Sequence, residues 1–270
     1  MTRHAHLDPA PFFFEGGPTG IILTHGWTGA PPEMRPLGEF LAARGLTVFG
    51  VRLAGHGTEP AEMNATGWHD WYADLVVAYD RMRARCERVF AGGISMGSLL
   101  TLHLAAQHPH PPAGIILYAP AIQITDHRLP FTAVLRFFVK LAPKDESAHD
   151  FVDPEGPLRV WSYEVNPVHG AYQLWRLKNR VRRELGQVTV PTLILHGRRD
   201  QIVYPAGAHE VYDRIASSDK TLHWFENSGH VITVDAEREQ VWQATYDWIK
   251  ARGPEGALRR RPSSLPTTPH

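Results

Sequence analysis

Six short apolar runs, rich in β-branched residues and bounded by turn formers, alternate with amphipathic helical patterns along this chain. The runs lie at 20–26, 47–53, 88–92, 114–119, 191–196 and 220–226. Between them, 32–44 carries Met34, Leu37 and Leu41 at helical spacing, and 68–85, 97–107, 205–216 and 236–251 repeat the pattern. Strands buried on both faces need helices to cover them, and strands joined through helices run parallel. The alternation therefore predicts an α/β protein with a mostly parallel, doubly wound central sheet flanked by helices. A chain of 270 residues with 43% hydrophobic content can bury one such core.

Residues 122–188 break the rhythm. No strand of comparable quality is visible there, and the segment reads as helices separated by Pro-containing turns. Ligands of open α/β sheets bind at the carboxyl ends of the strands, and an insertion leaving the strand that ends near Ala119 would cover that edge. The expected organisation is a core of 1–121 and 189–252 with a small cap at 122–188. The tail, 253–270, has few large apolar groups and reads as disordered.

The balance of 28 basic against 28 acidic residues argues against a nucleic-acid partner. The single Cys86 allows neither an intramolecular disulfide nor a cysteine zinc cluster. No stretch has the apolar length of a membrane span, and the N-terminus lacks the apolar core of a secretory signal. These observations predict a cytoplasmic protein without stable membrane insertion, as monomer or homodimer. The His-Ala-His at 4–6 and His-Pro-His at 108–110 lack third and fourth ligands nearby in sequence, so no metal site is expected.

Gly93-Ile94-Ser95-Met96-Gly97 places a serine between two glycines, where a predicted strand ends and a predicted helix begins. That is the setting of the G-x-S-x-G nucleophile elbow, although a plain helix N-cap with two turn glycines has the same local sequence. A serine hydroxyl needs a base, and the base needs an orienting acid. In this architecture the order is Ser, acid, His, and the late strands supply both partners. LILHGRRDQIV delivers Asp200 in one loop, and LHWFENSGHVI delivers His230 before the final helix. Glu226 lies too close in sequence to His230 to be the better acid, and His56, His69, His103, His108 and His209 do not follow the last strand. For the tetrahedral oxyanion, the backbone N–H groups of Met96 and of Trp27, in ILTHGWTG, are the expected donors.

With these pieces assembled, the chain resembles the α/β-hydrolases, in particular the small bacterial carboxylesterases and monoacylglycerol lipases. The resemblance runs over about residues 20–251, through HGWTGAPPEMRPLGEFLAARG, VRLAGHGTEPAEM, WHDWYADL, GGISMGSLLTLHLA, LHGRRDQIVY and NSGHVITVD. It implies the α/β-hydrolase fold, the triad Ser95, Asp200 and His230, oxyanion donors Trp27 and Met96, a small cap over an acyl pocket, and no metal or organic cofactor. It also implies a structural role for the loop bearing His56. The family often has Phe at the position of Trp27 and Gly at that of Ser98. The expected activity is hydrolysis of small-molecule acyl esters of short to medium chain, including monoacylglycerols. A thioesterase, a C–C bond hydrolase or a noncatalytic binding protein on the same fold remain alternatives. Within the cap, LPFTAVLRFFVKLA sets Phe131, Leu135 and Phe138 on one helical stripe, continued by Leu141 or Ala142. The stripe suits either an acyl-binding wall or ordinary packing of cap on body.

Overall fold

A computed structural model describes residues 2–3, 6–144 and 150–253. The expected tail, apart from Gly253, lies outside the described residues, as does His4.

The central sheet has seven strands: β1 (Phe12–Phe14), β2 (Thr19–Thr24), β3 (Thr47–Val51), β4 (Arg88–Ile94), β5 (Ile115–Tyr118), β6 (Thr192–Gly197) and β7 (Lys220–Phe225). Their order across the sheet is β7-β6-β5-β4-β2-β3-β1, parallel except for β1, which pairs antiparallel with β3. The six predicted runs are the six parallel strands. β1 escaped prediction because three consecutive phenylalanines carry no alternation to read. Its place is set by packing: the Phe12 ring fills space left beside Gly50 and Gly38, where a Cβ would lie 2.0 Å and 2.5 Å from it.

The helices are α1 (Arg35–Ala42), α2 (Pro60–Ala65), α3 (Trp68–Arg83), α4 (Met96–Gln107), α5 (Thr132–Leu135), α6 (Val168–Glu184), α7 (Pro205–Arg214) and α8 (Arg238–Lys250). Successive strand residues point to opposite faces, which splits the core in two. Ile21 and Leu23 join Leu37 of α1 and Val241 and Trp248 of α8 on one face. Ile22 joins Trp71 of α3, Leu99 of α4 and Val211 of α7 on the other. This is the doubly wound arrangement of the α/β-hydrolase fold.

Between β5 and β6, no described residue joins the central sheet. Leu141–Pro143 pairs with Val165–Pro167, and Ser162–Tyr163 pairs with Thr2–Arg3, both antiparallel. The segment's last helix, α6, buries Leu174, Leu177 and Val181 in the same core as α4. Because β2, β4, β6 and β7 are parallel, the loops that follow them converge on one edge. Trp27, Ser95, Asp200 and His230 all stand there.

Candidate active site

The reversal from β4 into α4 falls on Ser95, at φ 56° and ψ −114°. A positive φ is a strained conformation for a residue with a side chain. The turn closes because its flanking residues lack Cβ atoms. One on Gly93 would stand 2.3 Å from the Gly97 carbonyl, and one on Gly97 2.3 Å from the Thr24 carbonyl oxygen. Ser98 adds a tie, its buried hydroxyl donating to the carbonyls of Gly93 and Tyr118. The Ser95 N–H donates to the Tyr118 carbonyl at 2.9 Å. The Ser95 hydroxyl does not cap α4, so the ordinary work of a serine before a helix is not what holds it here.

Asp200 is fixed in the loop after β6. Its Oδ1 accepts the N–H groups of Ile202 (2.9 Å) and Val203 (2.8 Å). Its Oδ2 lies 2.9 Å from His230 Nδ1 and 3.1 Å from His196 Nε2. Burial alone would raise the Asp200 pKa. The charge and hydrogen bond of His230, with His196 close beside the same oxygen, overcome that and hold the carboxyl far below its usual range. For His230, burial works against the imidazolium, but Asp200, by charge and hydrogen bond, and then Asp150 and Glu33 outweigh it and raise the pKa. Asp200 and His230 are thus joined as the sequence predicts. Ser95 stands at the same edge without a hydrogen bond to His230.

The two N–H groups expected as oxyanion donors make no backbone hydrogen bond. The Met96 N–H is the first of α4, a position with no partner inside its own helix. The Trp27 N–H takes no part in the hydrogen bonds of its loop. The Trp27 indole packs toward α6, its buried Nε1 3.4 Å from where a Cβ on Gly170 would stand.

Two further carboxyls belong to this site, and no motif announces either. Glu33 is buried beside the Trp27 loop, accepting the Gly26 N–H and lying against Gly29. Burial pushes its pKa up to about 7, against the Gly26 hydrogen bond and the charges of His230 and Lys144. Asp150 comes from the segment between β5 and β6. Its Oδ2 accepts the Gln201 N–H at 2.8 Å, and its carbonyl accepts the His230 N–H at 3.2 Å. Burial, then Asp200, push its pKa up to about 6, opposed by the Gln201 bond and His230. The nearest sequence cue is Gly229, whose missing Cβ lets the Asp150 carbonyl approach to 2.1 Å of that point.

The remaining histidines have other duties. His25 Nδ1 bonds the Gly26 carbonyl and its Nε2 accepts the Leu53 N–H, which fixes the tautomer; burial pushes its pKa down to about 4. His56 packs between His25, tilted against it, and Trp71, edge-on to it. His108 bonds the backbone of His110, and no cluster of three metal-ligating side chains stands among the described residues.

The predicted stripe lies at the surface. Helical turns run from Leu129 through α5 to Phe138 and carry all three residues, and Leu141 already belongs to a strand. Phe131 is 71% and Phe138 80% exposed, with Leu135 also exposed.

The chain is similar to several known proteins. The family model described as serine aminopeptidase, S33, matches residues 19–152 and 161–237. A thermostable monoacylglycerol lipase of Bacillus sp. (strain H-257) is 34% identical over 242 residues, covering 88% of this chain and 93% of the lipase. A carboxylesterase of Bacillus subtilis (strain 168) is 29% identical over 245 residues, covering 90% and 97%. Among solved structures, one from LipS and LipT, two metagenome-derived lipolytic enzymes, superposes with a TM-score of 0.85 at 34% identity, over 90% of this chain and 98% of its own.

Proposed function

Because the chain belongs to the S33 family of α/β-hydrolases, we propose that it hydrolyses carboxylic esters through Ser95, His230 and Asp200. His230, held by Asp200 through Nδ1, takes the Ser95 proton on Nε2 as Oγ attacks the ester carbonyl. The carbonyl oxygen gains the electron pair and is met by the Met96 and Trp27 N–H groups. Collapse expels the alcohol, which leaves with the proton from His230. Water then attacks the acyl-enzyme with His230 again as base, and the acid and free Ser95 are released. Proton and electron pair are carried throughout by these side chains and water.

The observation that carries this reading is the Asp200–His230 pair at the same sheet edge as a strained, uncapped serine. Hydrogen bonds from base to nucleophile tighten when substrate arrives, which accommodates the gap at Ser95. Short- to medium-chain acyl esters, monoacylglycerols among them, are the substrate class, supported by the lipase and carboxylesterase relatives. The segment 122–188 serves as the cap.

Aryl esters from acetyl to palmitoyl, run beside 1-monoacylglycerols, test the reading. Medium-chain turnover is expected, and Ser95→Ala should lower kcat by roughly 10⁴–10⁶-fold with the fold intact. A fluorophosphonate should label Ser95. Turnover of thioesters alone would redirect the substrate class, and an unlabelled, folded protein would reject the enzyme reading.

A further inference from the structure

α3, α4 and α6 line a broad recess of about 580 Å³ that is widely open to solvent. It is separate from the active site. Its α4 residues, His103 and Gln107, lie about 12–18 Å along the helix from Ser95, at 1.5 Å of rise per residue.

One wall is cationic. α6 sets Arg176, Arg180 and Arg183 at spacings of four and three, on one helical face lining the recess. Like charges at those spacings repel and weaken a helix. The carboxylate within reach, Glu184, is already engaged: Oε2 lies 2.6 Å from buried His103 Nδ1, and Oε1 accepts the Arg180 Nε–H. Arg176 and Arg183 have no carboxylate partner among the described residues. The positive field is felt at His69, whose pKa is lowered first by burial and then by Arg176, His103 and Arg180.

The other wall is aromatic. Trp68 stacks on His69 with ring centroids 3.6 Å apart, and Tyr72 meets His103 edge-on at 4.5 Å. Guanidinium forks facing flat rings in one concave space are complementary to a molecule that carries both an oxyanion and a plane. The volume is that of a small-molecule site.

We propose that this recess binds a small organic anion in which a phosphate or carboxylate is joined to a flat ring. Arg176 and Arg183 take the oxyanion, and the exposed His69, backed by buried Trp68, takes the ring together with half-buried Tyr72. The site is independent of the chemistry assigned to Ser95.

Calorimetric titration of the full chain tests it, with adenosine monophosphate as the phosphate probe and 1-naphthoate as the carboxylate probe. Inorganic phosphate and adenosine serve as half-ligands. At least one complete probe should bind about tenfold or more tighter than either half-ligand and weaken as salt rises. Binding should survive Ser95→Ala and fall about tenfold or more in an Arg176→Gln, Arg183→Gln double variant. Both arginines are exposed, so that variant should keep its circular dichroism and melting curve; Arg183→Gln alone is the milder control. Which probe binds identifies the oxyanion. No heat from either probe up to about 5 mM, a concentration that would reveal even millimolar affinity, overturns the proposal. So does equal binding by adenosine, or full affinity in the double variant.

Discussion

His230 stands in the field of three carboxyls brought from distant parts of the chain: Asp200 after β6, Asp150 from the segment between β5 and β6, and Glu33 just before α1. In the proposed mechanism the imidazole must be neutral to accept the Ser95 proton, so kcat/KM should fall as pH drops through the His230 pKa. Each carboxylate favours the imidazolium and moves that acid limb upward. Asp150→Asn and Glu33→Gln remove a negative charge while keeping an oxygen that can accept the Gln201 or Gly26 N–H. Both should move the limb of kcat/KM to lower pH. Asp150→Asn should move it further, because Asp150 acts more strongly on His230 and is ionised at lower pH than Glu33. A pH–rate series on one soluble ester reads this, and a limb unmoved in both variants would refute the electrostatic account.

At the scale of the element, the strand-to-helix elbow is held by close approach. Gly97→Ala would drive a Cβ into the Thr24 carbonyl, with rigid strand backbone on the other side, and should cost about 3 kcal/mol or more. Ser98→Ala leaves the neighbouring carbonyls of Gly93 and Tyr118 without that donor, in a spot sealed from water. The loss should be about 1–3 kcal/mol, read by urea unfolding. This explains the serine at a position where the family often has glycine: its hydroxyl ties β4, β5 and α4 together. The Phe-to-Trp difference at Trp27 likewise finds its space beside Gly170 of α6.

At the scale of the molecule, α6 binds the segment between β5 and β6 to the body through a buried seam. Leu174, Leu177 and Val181 pack in the core beside α4, and Glu184 meets His103 inside it. Glu184→Ala would leave His103 buried without its partner and should destabilise the whole chain by about 2–4 kcal/mol. Equilibrium unfolding should show one cooperative transition shifted as a unit. A separate early transition of the inserted segment would contradict this seam. Around α5 the same segment is open, with Phe131 and Phe138 in solvent, so its two ends are held very differently.

What could be read along the chain was whatever depends on neighbours in sequence. Six strands and most helices follow from periodicity, because side-chain direction repeats every two or 3.6 residues. The elbow at Ser95, the order of Asp200 and His230, and the loop of Trp27 follow from short motifs at strand ends. The Asp200–His230 bond was decided where β6 and β7 lie side by side, and Asp150 and Glu33 became part of the site only by packing. That Phe131, Leu135 and Phe138 stand exposed was decided by how the segment folds over the body. The recess behind α4 likewise exists only where three helices meet. Local periodicity is written in covalent order, whereas burial and the field at a titrating group are sums over neighbours that only the folded chain brings within reach.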